Sequence, residues 1–244
     1  MLKTLSKMSE NPRNLSFFSH FDELRARLTT CLLTFFVMTC VAYGFSANFL
    51  ALIVRPVGYL IFTAPSDAFI ARMTLTFLLG FLLSSPIIFY HVWKFIAAGL
   101  KDHERSYIVL FGPLSLIFFA MGVLFAYFVM IPFALRFLLS FSTDFMLPMI
   151  TVKNYISFVG TWVLAFGVVF ELPLVLMFLA KIGIATPEFL RQYRRHAVVL
   201  ILIVSAILTP PDVVSQLMMA IPLMVLYEIG IVMVGYTSKK HSLS

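Results

Sequence analysis

Charge is scarce in this sequence. Asp, Glu, Lys and Arg make up only 12% of its 244 residues, whereas a soluble domain carries about 25%. With 61% of the chain hydrophobic, the apolar surface exceeds what one small domain can hide in a core. Most of the chain is therefore expected in a bilayer. Cysteine is nearly absent too. Cys31 and Cys40 fall in one apolar run, and nine residues of helix would hold them roughly 13 Å apart, beyond disulfide reach. No G-x-x-x-x-G-K-[ST] run occurs, which argues against the phosphate-cradling loop of a self-powered ATPase. The five histidines, His20, His91, His103, His196 and His241, lack metal-ligand spacing. Neither H-E-x-x-H nor G-x-S-x-G is found. No catalytic residue, metal or cofactor is expected, and the composition does not point to an enzyme.

What the sequence has is long apolar runs. Leu28 to Arg55, Met73 to Trp93 and Ser106 to Leu135 are each free of charged residues inside, and Asn154 to Ala180 carries only Glu171. Each suffices for a hydrocarbon core of about 30 Å, which needs roughly 20 helical residues. Two further runs, Ala197 to Leu208 and Val213 to Tyr227, are shorter and flank the sequence TPPD. As helices they would reach roughly 18 and 22 Å, enough for short spans or a re-entrant hairpin. Six transmembrane helices in an all-α integral membrane protein are the preferred reading.

Lys and Arg set the orientation. Fourteen of the 18 fall in the N-terminal segment, the loops after the second and fourth spans and the C-terminal tail. The other four are Arg55, Arg72, Arg136 and Lys153. This bias predicts that both termini are cytoplasmic. It also accounts for the net charge of +7 without nucleic acid as a partner. The first apolar run is expected to stay as a signal anchor and not to be cleaved. Three parts follow: a cytoplasmic N-terminal segment (1–27), a six-helix transmembrane domain (28–236) and a short basic tail (237–244).

Local signals fill in the connections. SFFSHFDELRARL has Phe17, Phe18, Phe21, Leu24 and Leu28 at helical spacing, which predicts an amphipathic helix on the membrane surface, with Ser19 and Asp22 in a capping arrangement. The loop from about Ser46 to Ala68 is long enough to hold short helices. Gly99 can end the second span and Asp102 can cap the next helix. Thr186, Pro187 and Glu188 form a helix start, and TPPD repeats that logic with Thr209 as the cap. Pro86, Pro113, Pro132, Pro173 and Pro222 are expected to kink their spans.

Three groups of polar residues are candidates for function. Glu171 lies within an apolar run, where a carboxylate is costly and usually functional, either as a proton site or as a docking point for a polar group. A protonated carboxyl bonded to a neighbouring helix is the plainer alternative. Glu23 and Glu104 lie on a basic cytoplasmic face. Each has a structural explanation, Glu23 through pairing with Arg27 at i+4 and Glu104 through a helix start. Together they could hold a cationic ligand, and arginine would be favoured because its planar fork bonds carboxylates at two points. Asp212 and Gln216 form a third pair, one turn apart.

HFDELRARL, FIAAGLKDHER, FGVVFELPL and LTPPDVVSQ, in that order, resemble the TatC family, the multi-spanning component of the twin-arginine protein translocase. The resemblance extends from about His20 to Gly230, and Ala98 stands where the family often has proline. It implies a glove-like concave bundle with six spans, N-in and C-in, the last two short, in the bacterial inner membrane. It also implies that Glu23 and Glu104 receive the paired arginines of an export signal, supported by Arg25 and Leu100. Glu171, Asp212 and Gln216 match positions that meet single-span TatA- and TatB-type partners. Folded cargo, a homo-oligomeric complex and the proton motive force belong to the same implication. The alternative is a proton-coupled secondary transporter of a small solute with Glu171 as its proton site. Such folds often carry internal repeats, and only a weak parallel echo links Pro86–Gly99 with Pro173–Gly183.

Overall fold

The structure, a computed structural model, describes residues 12–55, 57–100, 108–143, 145, 148–209 and 212–241, with side chains described from residue 21 to 236 except at 108 and 109. All regular elements among them are helical: α1 (Pro12–Val54), α2 (Asp67–Ala98), α3 (Ile108–Phe125), a π-helical turn (Ala126–Met130), α4 (Ile131–Leu139), α5 (Val152–Val169), α6 (Leu172–Lys181), α7 (Pro187–Gln192), α8 (Arg194–Leu208) and α9 (Val213–His241). Five stretches are long and apolar enough to cross a membrane: Phe21–Val54, Asp67–Ala98, Leu110–Leu139, Val152–Lys181 and Val213–Tyr236. α8 has 15 residues, about 22 Å of helix, as its short apolar run predicts.

Several boundaries differ from the sequence reading. The amphipathic segment and the first span form one helix, α1, so Ser19 lies inside a helix and starts none. Among the described residues of the connection from 55 to 66, turns and a single bridge between Ile61 and Thr151 form instead of short helices. Ile61 N–H donates to the Ile150 carbonyl at 3.1 Å and Val152 N–H to the Ile61 carbonyl at 2.8 Å, so two connections satisfy each other. Gly99 ends α2 as expected, while Asp102 lies outside the described residues. Thr186 caps α7, accepting from Phe189 N–H at 3.2 Å. Thr209 does not cap α9. Its hydroxyl donates back to the Ser205 carbonyl at 2.8 Å, and Asp212 caps α9 instead, accepting from Ser215 N–H at 2.6 Å. The last span is not short. α9 runs well past Tyr227, and Glu228, the first charged residue after that apolar run, pairs with Arg194 at 2.7 Å.

Packing follows from small residues and shared polar contacts. α1 lies along α2, where a Cβ on Gly80 would run into Thr39, backbone included. Arg72 of α2 donates to Ser46 of α1 at 3.0 Å and sits over the Tyr43 ring. α5 is central, against α2, α3 and the π turn, and buries Ile156, Val159, Trp162 and Phe166. Tyr155 at its start donates to the Ile53 carbonyl at 2.8 Å. α9 covers α6, α7 and α8, with Tyr227 donating to the Leu190 carbonyl at 2.8 Å.

Prolines shape the spans. Pro132 cannot donate to the Phe128 carbonyl and would crowd it; the π turn just before it widens the helix there. At Pro86, the carbonyl deprived of its donor belongs to Leu82. The Ser85 hydroxyl donates to that oxygen at 2.8 Å, a side-chain repair of the kind lipid requires.

Candidate functional site

Glu171 sits at a break in the fourth span, not within one continuous helix. Pro173 has no N–H for the Val169 carbonyl, so α5 stops at Val169 and α6 starts at Leu172. Phe170 N–H still reaches the Phe166 carbonyl at 3.0 Å, and Glu171 N–H tightens onto Val168 at 3.1 Å. The α-helical pattern resumes when Val175 N–H donates to the Glu171 carbonyl at 2.8 Å. The break is a tightened turn whose backbone stays in the right-handed helical region at Phe170 and Glu171, and the Glu171 side chain there is half-buried. Its polar neighbours are the Ser115 hydroxyl and the backbone amide of Phe119, both on α3. One oxygen, Oε1, is buried and has no hydrogen-bond partner.

A compact aromatic cluster joins α2, α3 and α6. Trp93 of α2, Phe111 of α3 and Leu174 and Phe178 of α6 are buried together. Trp93 meets Phe178 edge-on at 5.0 Å, and the Phe111 centroid lies 5.3 Å from Trp93. The Trp93 Nε1–H donates to Ser115 Oγ at 2.7 Å. Ser115 thus ties α3 to α2 through the indole. Leu100, predicted from the sequence as a site residue, packs against this cluster with Ile96. Gly167 is a point of close approach. A Cβ there would lie 2.6 Å from the Phe119 ring, so α5 and α3 meet beside the carboxylate.

The other predicted residues lie elsewhere. Glu23 is half-buried on α1 and pairs with Arg27, as its i+4 spacing predicts. Arg25 is exposed. Glu104 lies outside the described residues. Asp212 and Gln216 come together at the α8–α9 turn. Gln216 Nε2 donates to the Leu202 carbonyl at 3.0 Å, so this pair organises the hairpin from within. Among the described residues, no group of three or more His, Cys, Asp or Glu is arranged to hold a metal ion.

Sequence reasoning missed Trp93 and Ser115. Trp93, beside Lys94 at the end of an apolar run, reads as an ordinary interfacial aromatic, and a lone serine in a span carries no motif.

Residues 19–222 match the model of the TatC family, Sec-independent protein translocase protein (TatC). This chain belongs to the TatC family. The Sec-independent protein translocase protein TatC of Carboxydothermus hydrogenoformans is 39% identical over 238 residues, covering 96% of this chain and 97% of that protein. The TatC of Aquifex aeolicus is 36% identical, covering 91% and 95%. A crystal structure of the twin-arginine translocase receptor TatC superposes with a TM-score of 0.82 at 36% identity, covering 90% of this chain and 99% of the other. TatC is a protein translocase component and not an enzyme, and the secondary-transporter reading is set aside. As a TatC, the chain is an integral membrane protein that works in an assembly with other translocase subunits.

Proposed function

We propose that this TatC is the receptor subunit that binds twin-arginine signal peptides at its cytoplasmic face. With TatA- and TatB-type partners it exports folded proteins, driven by the proton motive force. The observation that carries this reading is the full-length likeness to a twin-arginine translocase receptor. In the finer plan, α8 is a short fifth span, the chain has six spans in a glove-like bundle, and both termini face the cytoplasm of a bacterial inner membrane. Glu23 and Glu104 accept the paired arginines. A guanidinium reaching Glu23 competes with Arg27, which already holds that carboxylate, so binding exchanges one charge-assisted pair for another. Arg25 and Leu100 support the site. Leu100 does so through the Trp93 cluster, which fixes the end of α2. Glu171, with an unpartnered buried oxygen, receives a polar group of a partner helix or signal peptide. Asp212 and Gln216 shape the hairpin where a partner docks.

The test is binding of a labelled twin-arginine signal peptide to the purified protein, beside a twin-lysine peptide and a Glu23→Ala, Glu104→Ala double variant. Loss of binding in both controls is expected. Equal binding in all three would mean that the peptide recognises apolar surface alone, and the carboxylate receptor would be refuted.

A further inference from the structure

We infer that α7 and the start of α8 form a binding surface for anionic phospholipid, in which Arg191 and Arg195 hold phosphate groups and the Phe189–Tyr193 ring pair enters the edge of the leaflet. None of these residues belongs to the sites described above. The place of α7 in the fold puts it at a membrane edge. One apolar stretch long enough to span ends at Lys181 and the last one ends at Tyr236. Gly183, at φ +77°, turns the chain after the first of them. α7 then packs against the closing turns of the other. Leu190 is buried with Ile231 and Val234, and the Tyr227 hydroxyl donates to the Leu190 carbonyl at 2.8 Å. α7 is therefore level with the end of an apolar span, where headgroups replace hydrocarbon.

The segment has an inward and an outward face. Pro187 and Leu190 are buried, whereas Phe189, Arg191 and Tyr193 are exposed, as are Arg195 and His196 at the start of α8. The outward rings form an ordered row. The Phe189 and Tyr193 centroids are 4.6 Å apart, and His196 lies 5.3 Å from Tyr193. Such rings favour the boundary between headgroup and acyl chain, where an apolar body and a polar tip are both accommodated. Charge selects the occupant. Arg194 is already paired with Glu228 at 2.7 Å. Among the described residues, Arg191 and Arg195 are in no ion pair. Glu188 is the only acidic residue between Lys181 and His196, and it sits in the first turn of α7, where the positive helix end favours it. The two arginines alternate with the rings in sequence, and each guanidinium can bond two phosphate oxygens at once. Cations beside apolar rings at a membrane edge match an anionic headgroup above its acyl chain. The surface is also held from behind, by the Thr186 cap, the Tyr227 hydroxyl and the Arg194–Glu228 pair, so little ordering is left for binding to impose.

The experiment uses the full-length protein in nanodiscs of one fixed mixture of phosphatidylcholine and phosphatidylglycerol. Tyr193→Trp places a fluorescent reporter in the ring row, and the wild-type protein gives the background of Trp93 and Trp162. Bromine, which quenches on contact, is carried on the acyl chains of one lipid or the other. The expected result is quenching by brominated phosphatidylglycerol several-fold above what its mole fraction predicts, falling as salt is raised. In the same background, the Arg191→Gln, Arg195→Gln double variant should return quenching to the mole fraction, and Arg191→Lys, Arg195→Lys should keep most of the preference. Arg136→Gln, Lys153→Gln, which removes two exposed cations elsewhere, should leave it unchanged. Quenching at the mole fraction in Tyr193→Trp alone, with both arginines intact, overturns the proposal. So does a preference that survives the loss of both arginines. Quenching by neither lipid means that water or another protein covers the rings, and overturns it as well.

Discussion

Replacing Gly122 with alanine tests how tightly α3 is held against α5. A methyl group there would run into the Phe166 carbonyl oxygen. It would lie 2.9 Å from the carbonyl carbon and 3.0 Å from Gly167 Cα, where ordinary contact starts at 3.4 Å. All three atoms are backbone, so no rotamer change relieves the clash. The helices must separate by about half an ångström or more, and overpacking of this kind costs about 1–3 kcal/mol. Gly112 on the same helix is the control, because a Cβ there meets nothing within 4 Å. In its place alanine is expected to be neutral or to stabilise by about 0.5–1 kcal/mol, through the lower helix propensity of glycine. Reversible unfolding of the two variants in detergent, read by circular dichroism, should place Gly122→Ala below wild type and Gly112→Ala at or above it. Equal stabilities for the two variants would refute the close α3–α5 packing.

Three further outcomes follow from the same structure. Asp212→Ala removes the α9 cap and should cost about 1 kcal/mol in detergent unfolding, with Asp212→Asn recovering most of it. Ser85→Ala leaves the Leu82 carbonyl at Pro86 without its hydroxyl. It should destabilise by about 1–3 kcal/mol, and no change would mean another donor reaches that oxygen. Arg194→Ala breaks a pair whose side chains are 49% and 50% exposed, so its effect should stay within about 0.2–1 kcal/mol and shrink as salt is added to the unfolding assay.

The spans were legible because lipid imposes a rule that sequence obeys visibly. A backbone crossing hydrocarbon must satisfy its own polar groups, so helices appear as charge-free runs. The rule is blunt about ends. The last apolar run stops at Tyr227, yet Arg194, 34 residues away in sequence, pairs with the next residue, Glu228, and the helix continues. Thr209 and Asp212 are both good caps by type. Which one is used depends on Thr209 being buried and turned back onto Ser205, which no local pattern encodes. The candidate site divides the same way. Glu171 declared itself as a charge in an apolar run. Its partners did not, because the Trp93–Ser115 bond is a tertiary contact between helices whose facing sides the sequence leaves open.

The break at Glu171 differs in kind from the other proline sites. At Pro86 a serine on the same helix repairs the freed carbonyl, and at Pro132 a wide turn precedes the ring. Both devices restore a self-sufficient span. At Pro173 the interruption instead exposes a carboxylate to the protein interior and leaves one of its oxygens unpaired. In a medium where an unsatisfied polar group costs several kcal/mol, a sequence selected for stability alone would place leucine there. The retained carboxylate, with one buried oxygen unpaired, is the feature on which the proposed contact with a partner or signal helix rests. Glu171→Leu should then raise the unfolding midpoint of the isolated protein and abolish its export function. A variant less stable than wild type, or one that still exports, would remove the ground for treating the break as a site.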